Sequence, residues 1–101
     1  MNYHGIEMPE QYIAEFCRRH HIRRLSLFGS ILRKDFGPDS DVDMLVEFER
    51  GKVPGLLRMA GMENEISAML GRRVDLRTPA ELSRYIRGEV LKEAQAQYVQ
   101  A

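Results

Sequence analysis

Leu27-Phe28-Gly29-Ser30, then ten residues, then Asp41-Val42-Asp43 running on through Met44-Leu45-Val46-Glu47-Phe48, is the stretch that decides how this chain is read. From Asp41 to Phe48 the residues alternate. Val42, Met44, Val46 and Phe48 fall on one side and Asp41, Asp43, Leu45 and Glu47 on the other, the period-2 pattern of a half-buried strand. In that geometry Asp41 and Asp43 point the same way, with Cα atoms about 6.5 Å apart at ~3.3 Å per residue. Two carboxylates held like this suit a hard cation, and Mg²⁺ typically takes one or two carboxylates together with substrate phosphates. Upstream, the β-compatible run Ile22 to Phe28 ends at Gly29, where the missing Cβ lets a phosphate approach the backbone. Ser30 adds a hydroxyl. A helical turn over 30–34 would aim free N–H groups at the same anion, with Arg33 one turn on. Asp75, the polar residue of the short strand Val74-Asp75-Leu76, offers a third carboxylate. These parts fit two-metal phosphoryl or nucleotidyl transfer, in which ions about 3.5–4 Å apart hold the attacking and leaving oxygens.

Outside this stretch the pattern is helical. Pro9 suits a first helical position, and Tyr12, Ile13, Phe16, Cys17 and His20 recur on one face, predicting a helix over about 9–20. Residues 36–40 are dense in turn formers, and Gly51 and Pro54 end the strand. Leu56, Met59, Ala60, Ile66, Met69 and Leu70 predict a second helix over 55–70, closed by Gly71. Thr78-Pro79 reads as a cap and first turn opening a helix over 79–87. Gly88 interrupts it, and 89–98 reads as a last helix. The predicted order is α-β-β-α-β-α, an α/β (α+β) domain with a small mixed sheet flanked by helices.

The 101 residues are taken as a single domain, 1–101, of a size that buries roughly two-thirds of its unfolded surface. Hydrophobic residues at 44% and charged residues at 30% describe a globular protein, and no apolar run is long enough to span a membrane. The first residues lack the basic and apolar regions of a signal peptide. The one cysteine, Cys17, excludes an internal disulfide and fits a reducing cytosol, so a cytoplasmic location is expected. Fifteen basic residues balance fifteen acidic ones, which gives no reason to expect a polynucleotide partner. The acidic residues are concentrated, however, with six against one basic residue in 35–50. A Ca²⁺ loop starting at Asp39 fails, because its sixth position is Met44 rather than Gly and its twelfth Arg50 rather than Glu. Cys17 and His20 have a zinc-like spacing but no second ligand pair, so they read as core. Arg18, Arg19, Arg23 and Arg24 read as a solvated face or a docking surface. Arg72, Arg73 and Arg77, flanking Asp75, read either as offsets to its charge or as phosphate contacts. Tyr85 and Tyr98 read as packing residues.

Gly29-Ser30, ten residues, then Asp-x-Asp resembles the signature of the polymerase-β-like nucleotidyltransferase superfamily. The run Phe28 to Arg33 and the run Ser40 to Phe48, with Val74-Asp75-Leu76 and the closing Tyr85 to Ala94, look like its minimal nucleotidyltransferase (MNT) branch, a likeness spanning about 22–94. The resemblance implies the nucleotidyltransferase fold and an antitoxin of a type VII toxin–antitoxin system, moving AMP from ATP onto a tyrosine of a HEPN-domain ribonuclease toxin. It implies that Asp41 and Asp43 bind two Mg²⁺ ions and that Asp75 holds one of them and helps deprotonate the acceptor. Gly29 and Ser30, with Arg33, would bind the triphosphate. Two rival readings stay open: a partner-binding module that neutralises by contact alone, and an enzyme with a small-molecule or RNA acceptor. The absence of an added substrate domain argues for a protein acceptor.

Overall fold

Alternation in the sequence becomes a sheet with two differently dressed faces. The computed structural model describes residues 2–101. A two-stranded hairpin, β1 (Asn2–Tyr3) and β2 (Ile6–Glu7), precedes helix α1 (Glu10–Arg19). Then follow β3 (Ile22–Phe28), a 3₁₀ turn (Gly29–Leu32), β4 (Val42–Phe48), helix α2 (Leu56–Leu70) and β5 (Val74–Arg77). A second 3₁₀ turn (Pro79–Glu81), helix α3 (Arg84–Glu93) and β6 (Gln95–Val99) complete the chain. The main sheet runs β5-β4-β3-β6, with β4 and β5 parallel and the other pairs antiparallel.

On one face Leu25, Leu27, Val42, Met44, Val46, Val74 and Leu76 meet Ile13 and Phe16 of α1 and Met62 and Ile66 of α2 in the main core. On the other face Phe28 and Leu45 pack with Leu82 and Val90, so the α3 region covers a second, smaller core. The α/β class and the mixed sheet flanked by helices are therefore as expected, with added strands at each end of the predicted order. Gly71, with φ of 69°, closes α2 in the left-handed conformation a C-terminal glycine favours. Cys17 is fully buried, and burial pushes its thiol up to about 12, which fits a core residue.

Several local expectations are corrected. The predicted last helix over 89–98 divides into the end of α3 and strand β6, which pairs Leu25 with Tyr98 and Leu27 with Gln95. The break expected at Gly88 falls earlier. Pro79 and Glu81 stay in a 3₁₀ turn, and Ser83 starts α3 by accepting a hydrogen bond from the Tyr85 N–H (3.2 Å). Arg87 locks this corner, donating to Pro79 O and Leu82 O, both at 2.8 Å. Tyr12, expected on the apolar face of α1, is exposed, and so are Leu56 of the α2 stripe and Tyr85. Met62 takes the buried place in α2 that the stripe missed.

Candidate active site

The candidate residues gather where β3 finishes and β4 and β5 begin. In the antiparallel β3–β4 ladder Phe28 faces Asp43, so the turn at Gly29 starts beside that carboxylate. Gly29 has φ of 78°, a conformation L side chains rarely adopt, and an added Cβ would lie 2.5 Å from Asp43 Oδ2. The glycine is required twice, by its backbone and by its neighbour. In the parallel β4–β5 ladder Asp43 and Asp75 are register partners, which brings the third carboxylate alongside. Asp75 is held there because α2 fixes its neighbours: Ser67 Oγ accepts from the Val74 N–H (2.9 Å) and Glu63 Oε2 from the Leu76 N–H (2.8 Å).

Asp43 has its pKa raised, first by burial and then by the negative charges of Asp75 and Asp41, with Arg77 and Arg33 opposing. Three carboxylates repelling one another at the mouth of a Cβ-free turn is a donor set suited to a hard divalent cation, whose charge would relieve that repulsion. As they stand, Asp41 and Asp75 face arginines. Arg73 Nε lies 3.9 Å from Asp41 Oδ2, and Arg77 donates from Nε and Nη2 to Asp75 Oδ2, both at 3.2 Å. Among the described residues no three Asp, Glu, His or Cys side chains are drawn together closely enough to form a ready metal cluster. An open cleft of about 310 Å³ adjoins the carboxylates, with Phe28, Leu82 and Ile86 as apolar lining and Asp43, Asp75, Arg77 and Glu81 as charged lining.

The 3₁₀ turn places Ser30 beside Gly29, and the Arg33 N–H closes the turn on Ser30 O (2.9 Å). It is braced from the N-terminal hairpin, since His4 Nε2 donates to Ile31 O (2.9 Å) and the His4 ring packs on Phe36. Two positioning features escaped the sequence reading. Glu93, at the end of α3, reaches back to Gly29 and Arg33, its Oε1 lying 3.4 Å from the Gly29 nitrogen and 3.5 Å from Arg33 Nη2. Arg72, read as a charge offset or a phosphate contact, is engaged by the loop before Asp41. It donates to Gly37 O (2.9 Å) and Ser40 O (2.6 Å) and lies over the Phe36 ring, fixing the loop that delivers Asp41. Cys17 and His20 stay outside the site; His20 pairs with Glu65, as does Arg19.

The family model described as a nucleotidyltransferase domain matches residues 10–97. The chain belongs to that family. Among its relatives, protein adenylyltransferase MntA of Thermococcus cleftensis is 40% identical over 79 residues, 78% of each chain. A solved minimal nucleotidyltransferase is 36% identical with a TM-score of 0.69, covering 84% of this chain and 85% of that one. The fold is also shared with a chain in the complex of a tri-AMPylated Shewanella oneidensis HEPN toxin with its MNT antitoxin. There the identity is 18%, the TM-score 0.65, and the match covers 90% of this chain and 70% of that one. This nucleotidyltransferase thus belongs to the minimal branch, and a nucleotide is its substrate. No helix among the described residues is long and apolar enough to cross a membrane.

Proposed function

We propose that this nucleotidyltransferase moves AMP from ATP to a protein hydroxyl, a tyrosine of a HEPN-type ribonuclease toxin, and so acts as a cytoplasmic antitoxin. The observation that carries this reading is the bare Gly29 backbone against the Asp43 carboxylate, with Asp75 in register beside it. The naming of a 40%-identical relative as a protein adenylyltransferase supports the protein acceptor. The HEPN complex in which the fold recurs supports the class of partner.

In this reading Asp41 and Asp43 hold two Mg²⁺ ions and Asp75 one of them. The ions supply charge that neutralises the phosphates and lowers the pKa of a bound hydroxyl. Gly29, Ser30 and Arg33 take the triphosphate through backbone N–H groups, a hydroxyl and a guanidinium. The acceptor oxygen forms a bond to the α-phosphorus, Asp75 takes its proton, and the α–β bridging bond breaks to release pyrophosphate. No covalent enzyme intermediate is required, because positioning and electrostatics carry such transfers.

The test incubates the protein with Mg²⁺, ATP labelled at the α-phosphate and lysate of its host, beside the Asp41→Asn/Asp43→Asn double variant. Label on a discrete protein band with wild type alone is the expected result. Label on RNA or on a small molecule overturns the protein acceptor. Tight binding of a host protein by both forms, with no transfer, replaces the reading with neutralisation by contact.

A further inference from the structure

We infer that the site carries its own counter-ions, Arg77 standing in for the cation at Asp75 and Glu93 for the phosphate at Gly29 and Arg33. The inference rests on the transfer reading above. Arg77 and Asp75 share one face of β5, two residues apart, and two nitrogens of the guanidinium converge on a single carboxylate oxygen at 3.2 Å. Arg77 lines the same cleft as Asp43 and Asp75, so its charge serves carboxylates that a divalent ion would otherwise compensate. On the other side of Gly29, one oxygen of Glu93 faces both the Gly29 N–H and Arg33. Those are two of the three donors assigned to the triphosphate. The pairing of Glu93 with Gly29 spans 64 residues and depends on α3 returning to the sheet before β6 leaves it.

Each contact is partly exposed, with Arg77 about half accessible and Glu93 about a third, so each is weak enough to be displaced. An exposed ion pair is worth about 0.2–1 kcal/mol, a penalty of up to about fivefold on any ligand that must break it. A metal without nucleotide must displace Arg77 and finds no phosphate to share it. A nucleotide without metal must displace Glu93 and meets three repelling carboxylates. The Mg²⁺–ATP pair displaces both and leaves Arg77 free to turn toward phosphate. The arrangement therefore favours the pair over either component.

The test measures two half-reactions on the full chain. Mn²⁺ alone is titrated by electron paramagnetic resonance, and ATP in excess EDTA by calorimetry. Arg77→Gln is expected to bind Mn²⁺ about two- to fivefold tighter without binding metal-free ATP more tightly. Glu93→Gln is expected to do the reverse. Arg84→Gln and Glu89→Gln make the same charge changes on α3, where Arg84 packs on Tyr85 and Glu89 is exposed, and are expected to move neither affinity by as much. Unchanged affinities in Arg77→Gln and Glu93→Gln, or shifts matched by these controls, overturn the inference. Neither titration needs transfer to occur, so a failed transfer assay on a protein that shows the crossed pattern removes only the transfer reading.

Discussion

Asp43→Asn is expected to lose nucleotide transfer while making the fold more stable. The loss follows from the position of Asp43 between Gly29 and Asp75, where it would share both ions. Removing a charge that anchors metal costs several kcal/mol of transition-state stabilisation, or about a thousandfold in rate. The gain in stability has a separate cause. Burial and the charges of Asp75 and Asp41 raise the pKa of Asp43, so in the folded chain its ionised form is disfavoured. A carboxyl whose folded pKa lies above its unfolded value costs stability as pH rises from the unfolded value through the folded one, and the full penalty is present at neutral pH. Asparagine carries no such penalty. Thermal melts in EDTA should place Asp43→Asn above wild type at pH 7, with the gap closing as the pH is lowered through the carboxylate range. A variant that melts below wild type at pH 7, or that still transfers label, contradicts this account.

The carboxylates at the centre of the candidate site stand out in the sequence by pattern alone. In the alternating sequence Asp41 and Asp43 take the polar positions, beside a glycine that no turn signal explains. Period-2 alternation gave their direction, and the Gly-Ser spacing gave their neighbour. What the sequence hid depends on contacts between distant residues. Glu93 looks like an ordinary helix charge, and Arg72 like a partner for Asp75 or for phosphate, until the chain brings them to Gly29 and to the loop before Asp41. Gln95-Ala96-Gln97 carries no strand preference of its own, and only pairing with β3 makes it β6. Gly88 suggests a break because glycine weakens a helix by about 1 kcal/mol, a cost α3 absorbs through the packing of Val90 and the locks from Arg87. Leu56 fits the helical stripe by spacing, yet among the described residues nothing covers it. Periodicity reports which residues share a face, but the neighbours decide whether that face is buried.

Gly29→Ala is expected to damage both stability and transfer, and the two causes can be separated. A residue with Cβ held at φ of 78° costs about 1–3 kcal/mol from backbone strain alone. The methyl would also meet Asp43 Oδ2 at 2.5 Å, and relieving that contact means turning the carboxylate away from Asp75. Transfer should therefore fall about as far as in Asp43→Asn, since a misplaced ligand serves little better than a missing one. Adding Asp43→Ala removes the atom the methyl strikes but leaves the backbone strain. In urea unfolding, Gly29→Ala should then cost clearly less in the Asp43→Ala background than in wild type, and the difference is the coupling between the two residues. Equal costs in both backgrounds would mean that the turn tolerates the methyl without disturbing Asp43. The glycine would then be required by its φ alone, and the close approach to the carboxylate would have no part in building the site.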